Sequence, residues 1–145
     1  NIKKKNKEIK LYMVGSNPSQ EVLNLNSDDV IVTGFVTDEE LDELYTQMRL
    51  VVVPLRTGAG VKGKIIEAVY HKVPVITTSI GIEGINNTEQ LISVQDTAPD
   101  FADATHQLYN DMDSLNAISK KSQEFIDKYF SENAVKESLS GYIDF

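Results

Sequence analysis

Leu50-Val51-Val52-Val53-Pro54-Leu55-Arg56-Thr57-Gly58-Ala59-Gly60-Val61-Lys62-Gly63-Lys64-Ile65-Ile66-Glu67-Ala68-Val69-Tyr70 is the stretch whose reading decides the fold. A valine run ends at a proline, a glycine-rich loop follows, and apolar residues then recur at helical spacing. The chain next enters a second valine-isoleucine run at 73–78. Strand, loop, helix and strand in that order make a parallel β-α-β unit. Continuous apolar runs, unlike alternating ones, suit parallel strands covered on both faces.

Working outward, similar runs at 9–14 and 30–33 end at Gly15 and Gly34, and a short fifth lies at 91–94. Helical patterns alternate with them. Thr37-Asp38-Glu39-Glu40 reads as a capping box ahead of Leu41, Leu44, Tyr45 and Met48. A second helix is expected over 61–72, and Pro99 is placed to open a third. Two more follow, over 115–129 and from a Ser131 cap onward. The alternation predicts an α/β fold, a Rossmann-like parallel sheet with helices on both faces. Ligands in such folds bind at the carboxyl ends of the strands, which points to loops 15–18, 34–38, 54–63 and 79–84.

The 145 residues are ample for one core and too few for two full domains, so residues 1–145 read as a single domain. No apolar run approaches the roughly 18–20 residues of a membrane span. The lysine-rich start precedes no apolar stretch of signal-peptide length. Cysteine is absent, which removes disulfides and thiolate metal sites, and His71 and His106 share no ligand spacing. Net charge is −8, although residues 1–10 hold five lysines against one glutamate. The acidic remainder repels phosphate backbones, so no nucleic-acid partner is expected. Lys3, Lys4, Lys5 and Lys7 have the charge to touch anionic lipid; the plainer alternative is a solvated helix end or a chain boundary.

The loop carries the chemistry. Gly58, Gly60 and Gly63 allow close backbone approach, and the first-turn amides of the following helix favour an anion. Arg56, Lys62 and Lys64 add positive charge, a set that suits a diphosphate. The alternative is a flexible turn with solvated lysines. Gly60, Lys64, Glu67 and His71 fall near one helix face, with Ile65, Ile66, Val69 and Val73 on the buried side. Glu67 stands about one turn beyond the anion site, where a carboxylate can accept from two ribose hydroxyls. Its alternative is a surface pair with Lys64, worth ~0.3 kcal/mol. His71 reads as a helix C-terminal residue favoured by the dipole rather than a base. Gly58-x4-Gly63-Lys64 imitates a Walker A loop, but Ile65 stands where magnesium needs Ser or Thr. Gly15-Ser16-Asn17-Pro18 likewise lacks the later glycines of a dinucleotide fingerprint.

Met13-Val14-Gly15, Thr33-Gly34-Phe35-Val36, Val53-Pro54, Lys64-Ile65-Ile66-Glu67-Ala68, Val73-Pro74-Val75 and Gly81-Ile82-Glu83-Gly84, in this order, resemble the C-terminal domain of glycosyltransferase family 4, with the GT-B architecture. The likeness runs from about Lys10 to Gly84. It implies the nucleotide-sugar-binding half of a retaining hexosyltransferase, working with an N-terminal acceptor domain of the same chain that these residues do not include. By position, it implies that Glu67 holds the ribose. Arg56, Gly58, Gly60, Val61, Lys62, Gly63 and Lys64 would then surround the diphosphate, and Phe35 and Val36 would meet the base. It further implies a nucleoside-diphosphate sugar as donor, no metal or other cofactor, and glycan or lipid-linked saccharide synthesis. The expected location is cytoplasmic, with peripheral contact at the inner membrane face left open and made through the other half.

Two departures stand out. Ala59 occupies the place of the first acidic residue of the family's Glu-x7-Glu motif. Nothing before Lys10 supplies the family's first strand and helix with their phosphate-binding arginine and lysine, for which Arg56 and Lys62 are candidate substitutes. This half alone is expected to show little or no transfer. Two rivals stay open: a nucleotide-sugar epimerase of the non-hydrolysing type, and a non-catalytic domain that has lost donor binding. A receiver-like domain is disfavoured, since no strand ends in a phosphorylatable aspartate.

Overall fold

The computed structural model describes residues 8–132 together with Ala134 and Lys136. The lysine cluster at 3–7 lies outside the described residues, as does most of the helix expected after Ser131. The Ser131 cap itself is present, its hydroxyl accepting from the Ala134 amide at 3.3 Å. The chain divides between Gln47 and Met48 into two compact units.

In the first unit, β1 (Leu11–Val14) and β2 (Val30–Gly34) form a parallel pair, registered Leu11 to Val30 and Val14 to Gly34 with an irregularity after Met13. A short helix, α1 (Gln20–Leu23), lies between them, capped by the Ser19 hydroxyl. Four residues are too few to show a helical period, so this helix leaves no signal in the sequence. α2 (Asp38–Gln47) starts from the expected capping box. The Glu40 amide donates to Thr37 Oγ1 at 3.2 Å, and the Thr37 amide donates to Glu40 Oε2 at 2.8 Å. Leu41, Leu44 and Tyr45 are half-buried along one stripe. None of the described residues of this unit is fully buried. Coverage of its strands on both faces, expected from their apolar runs, is therefore incomplete: Leu11 and Val14 are exposed and β2 is half-buried throughout.

The second unit holds the core. Its parallel sheet runs in the order β3 (Val51–Val53), β4 (Val75–Thr77), β5 (Ile92–Val94). Val51 pairs with Val75 and Val75 with Ile92, which leaves β4 central and wholly buried. α3 (Gly63–Tyr70) packs on β4 and on α5 (Met112–Tyr129), and α4 (Ala98–Tyr109) packs on β4 and α5. Ile65, Ala68 and Val69 form the buried stripe of α3, at the i, i+3, i+4 spacing that faces a helix to its core. They meet a core that includes Val75, Ile76, Leu115, Phe125 and Ile126. Each large member contributes about 1.5–3 kcal/mol by leaving water. Ile66, expected on this side, is only half-buried, and Ala68 takes its place. Pro99 stands in the first turn of α4 as expected, behind a Thr97 cap. Among the described residues no helix is long and apolar enough to cross a membrane.

Candidate functional site

All strands of the second unit point the same way, so the ends of β3, β4 and β5 reach one edge. There β3 turns into the glycine-rich loop, where the Val53 carbonyl accepts from the Leu55 amide at 2.9 Å. Two threonines add side-chain donors to this turn. Thr77 Oγ1 donates to the Val53 carbonyl at 2.8 Å, and Thr78 Oγ1 donates to the Leu55 carbonyl at 2.6 Å. Both threonines are buried, where an unpaired carbonyl is costly. Asp96 ties β4 to the segment after β5, its Oδ1 accepting from the Ser79 amide at 2.8 Å and hydroxyl at 2.9 Å. Gly81 closes over this arrangement. A β carbon there would lie 1.9 Å from Thr77 Oγ1, so only glycine fits. Ser79 and Gly81 belong to the 79–84 loop named from the sequence, whereas no role is expected there for Thr77, Thr78 or Asp96. The signal for the threonines is a run of hydroxyl residues, Thr77-Thr78-Ser79, at the end of a buried apolar strand.

The glycine-rich loop leads into α3 two residues later than expected. Gly60 is left-handed, with φ 72°, and Lys62 at the N-cap is extended, which holds off the first turn until Gly63. The N-cap side chain, that of Lys62, makes no capping bond. It therefore does not compete with an incoming anion for the first-turn amides, of which that of Ile65 donates to the Lys62 carbonyl at 2.9 Å. Arg56, Gly58, Val61, Gly63 and Lys64 are exposed. On α3 itself Lys64 and Glu67 are exposed on the side opposite the buried stripe, as their spacing predicted. His71 sits at the C-cap, its amide bonded to the helix carbonyls, which matches its reading as a helix-end residue.

Lys62 takes an unexpected course. Its ammonium donates to the Gly60 carbonyl of its own loop. It also lies 3.9 Å from Glu83 Oε2, and its side chain is 11% exposed. The neighbouring Gly84, left-handed at φ 78°, approaches Val61: an added β carbon would meet Val61 Cγ2 at 3.0 Å. The loops at 54–63 and 79–84, both named from the strand-end rule, therefore meet directly. Phe35 and Val36 belong to the first unit, directly after β2. Phe35 is 76% exposed, and the preceding Gly34 is left-handed.

Residues 1–111 match the family described as glycosyl transferases group 1. An uncharacterized 44.6 kDa protein in the cps region of Klebsiella pneumoniae is 28% identical over 145 residues, covering 94% of this chain and 37% of that protein. The crystal structure of TarM matches with a TM-score of 0.76 at 21% identity, over 96% of this chain and 30% of TarM. At that identity the likeness establishes the fold, the α/β arrangement of parallel strands and helices expected of a GT-B half. The chain spans 37% and 30% of the lengths of these two proteins.

Proposed function

The chain belongs to the group 1 glycosyl transferases, and from that premise we propose that it is the donor-binding part of an enzyme that moves a sugar from a nucleoside diphosphate to an acceptor hydroxyl with retention of configuration. The observation that carries the reading is the start of α3: a helix with no side-chain cap, reached through left-handed glycines at the end of a parallel strand. The diphosphate lies against the backbone of Gly58, Gly60, Val61 and Gly63, with Arg56 and Lys64 as cations and the Lys62 charge close by. Glu67, one turn on, accepts from the ribose hydroxyls.

Transfer leaves a diphosphate with growing negative charge. Amides and cations already in place lower the barrier by holding that charge without reorganising at the moment of reaction. The proposed site needs no metal for this. Contacts to the acceptor, and any base, come from a further N-terminal domain. The relative from a cps region supports a role in polysaccharide or lipid-linked saccharide synthesis. A second reading, a domain that no longer handles the donor sugar, has Ala59 in its favour, since a methyl group there cannot accept a sugar hydroxyl.

Titration with UDP, GDP and ADP tests the proposal. A nucleotide at 100 times its Kd stabilises by ~2.7 kcal/mol, or roughly 2–8 °C in melting temperature. We expect one nucleotide to act selectively and Glu67→Ala to abolish its effect. Unchanged affinity in Glu67→Ala removes the ribose assignment. Silence toward all three nucleotides, in the full-length protein as well, favours the second reading.

A further inference from the structure

Two successive residues of one loop grip two successive residues of the other. Glu83 faces the Lys62 ammonium at 3.9 Å, and Gly84 meets Val61 so closely that an added β carbon would stand 3.0 Å from Cγ2. The Lys62 stem runs beside Gly58, where an added β carbon would come within 3.3 Å of Cε. Its tip then donates to the Gly60 carbonyl. The side chain is 11% exposed although it belongs to a surface loop of an acidic chain. Gly58 and Gly60 are thus both occupied in seating a lysine of their own loop.

We propose that Lys62 and the Glu83–Gly84 turn are positioning residues that lock the 58–63 loop in its anion-receiving shape. The Lys62 ammonium is used inside the protein and acts on the diphosphate through the loop backbone. The proposal rests on the donor-site reading above and refines it. It also explains an otherwise adverse feature. A carboxylate beside a diphosphate repels it, so Glu83 weakens binding by simple Coulomb action. Its presence helps only if holding Lys62, and with it the loop amides, outweighs that repulsion.

The two views give opposite signs. If Lys62 is a direct phosphate ligand, Glu83→Gln removes a repelling charge, frees the lysine and tightens nucleotide binding. If the lock governs, Glu83→Gln weakens it. The experiment uses the full-length protein with three variants, Glu83→Gln, Lys62→Met and the double substitution. Amide exchange across 58–63 is followed without ligand, and Kd is measured for the UDP, GDP or ADP that the parent binds. Each single variant should exchange these amides about threefold faster or more, with no change in melting temperature. Each should weaken the nucleotide roughly three- to tenfold, and the double variant should be no weaker than the worse single one. Tighter binding in Glu83→Gln, multiplied losses in the double variant, or unchanged loop exchange overturns the proposal. If the parent binds no nucleotide but loop exchange rises in both single variants, the donor-site reading falls while the lock between the loops stands.

Discussion

Ser122 sits on the buried face of α5 at 1% exposure, and its hydroxyl has no hydrogen-bond partner among the described residues. Its neighbours on that face, Leu115, Phe125 and Ile126, are apolar. A buried hydroxyl without a partner loses its hydration and gains nothing in return. Ser122→Ala should therefore stabilise the fold by about 1 kcal/mol, with a smaller part from the better helix propensity of alanine. Urea denaturation reads this as a higher midpoint at unchanged slope; a lower midpoint would mean the hydroxyl has a role that its surroundings do not show. Ser122 also marks a limit of sequence reading. Helical spacing assigns 115–129 to a helix, but a serine on such a face carries no sign of whether its hydroxyl finds a partner. Lys62 is a similar case. Composition and position make it a candidate anion ligand; its ion-pair partner, Glu83, is 21 positions further along the chain, and nothing local announces that pairing.

At the scale of elements, the ends of helices were the most legible features, because caps act within three or four residues. Thr37 with Glu40 and Pro99 in the first turn of α4 needed no tertiary information. The start of α3 did, since the chain had to reveal that Gly60 turns left-handed and Lys62 stays extended. The end of α3 carries a prediction. The Val73 amide donates to the Ala68 carbonyl at 3.0 Å and the Lys72 amide to the Val69 carbonyl at 2.9 Å, a Schellman closure that puts Lys72 at φ 62°. A left-handed non-glycine residue costs roughly 1–2 kcal/mol. The greater freedom of glycine in the unfolded chain and the loss of a lysine near the helix C-terminus each return a fraction of that. Lys72→Gly should net a gain of about 0.5–1 kcal/mol in denaturation experiments, and a loss would show that the lysine side chain holds something more than the dipole. The start of α5 carries another. Asp111 Oδ1 accepts from the Ser114 amide at 3.0 Å and Oδ2 from its hydroxyl at 2.7 Å. These bonds, the amide first, hold the Asp111 carboxyl below its usual value of 3.8. A depressed folded pKa gives stability that is present above the unfolded value and lost as pH falls through the folded one. The melting difference between the parent and Asp111→Ala should accordingly be constant from neutral pH down to about 4, the unperturbed aspartate range. Below that it should shrink; a difference that persists unchanged in acid would assign the cap to something other than the ionised carboxylate.

For the molecule as a whole, the alternation of strands and helices was sufficient to establish parallel pairing, and apolar runs located the five strands of the described residues within two residues of their ends. What the runs did not convey is how unequally burial is shared. Val30-Ile31-Val32 and Val75-Ile76-Thr77 are much alike as sequence, yet the first is half-buried throughout and the second wholly buried. The difference lies in what covers them, a property of distant segments. The second unit closes α3, α4 and α5 over a three-stranded sheet, while in the first unit two strands and two short helices bury no described residue completely. Amide protection follows local burial, because a strand with little covering surface opens without the global transition. Native-state hydrogen exchange should therefore show the amides of Ile31 and Val32 opening at a clearly lower free energy than those of Val75 and Ile76, with the latter reporting the global value. Added denaturant should separate them further, since the β4 amides exchange only by exposing the whole core and carry its large denaturant slope, while opening of β2 exposes little new surface. Equal free energies and equal slopes for the two strands would mean that the two units unfold as one cooperative body and that burial within each is no guide to the order in which the chain comes apart.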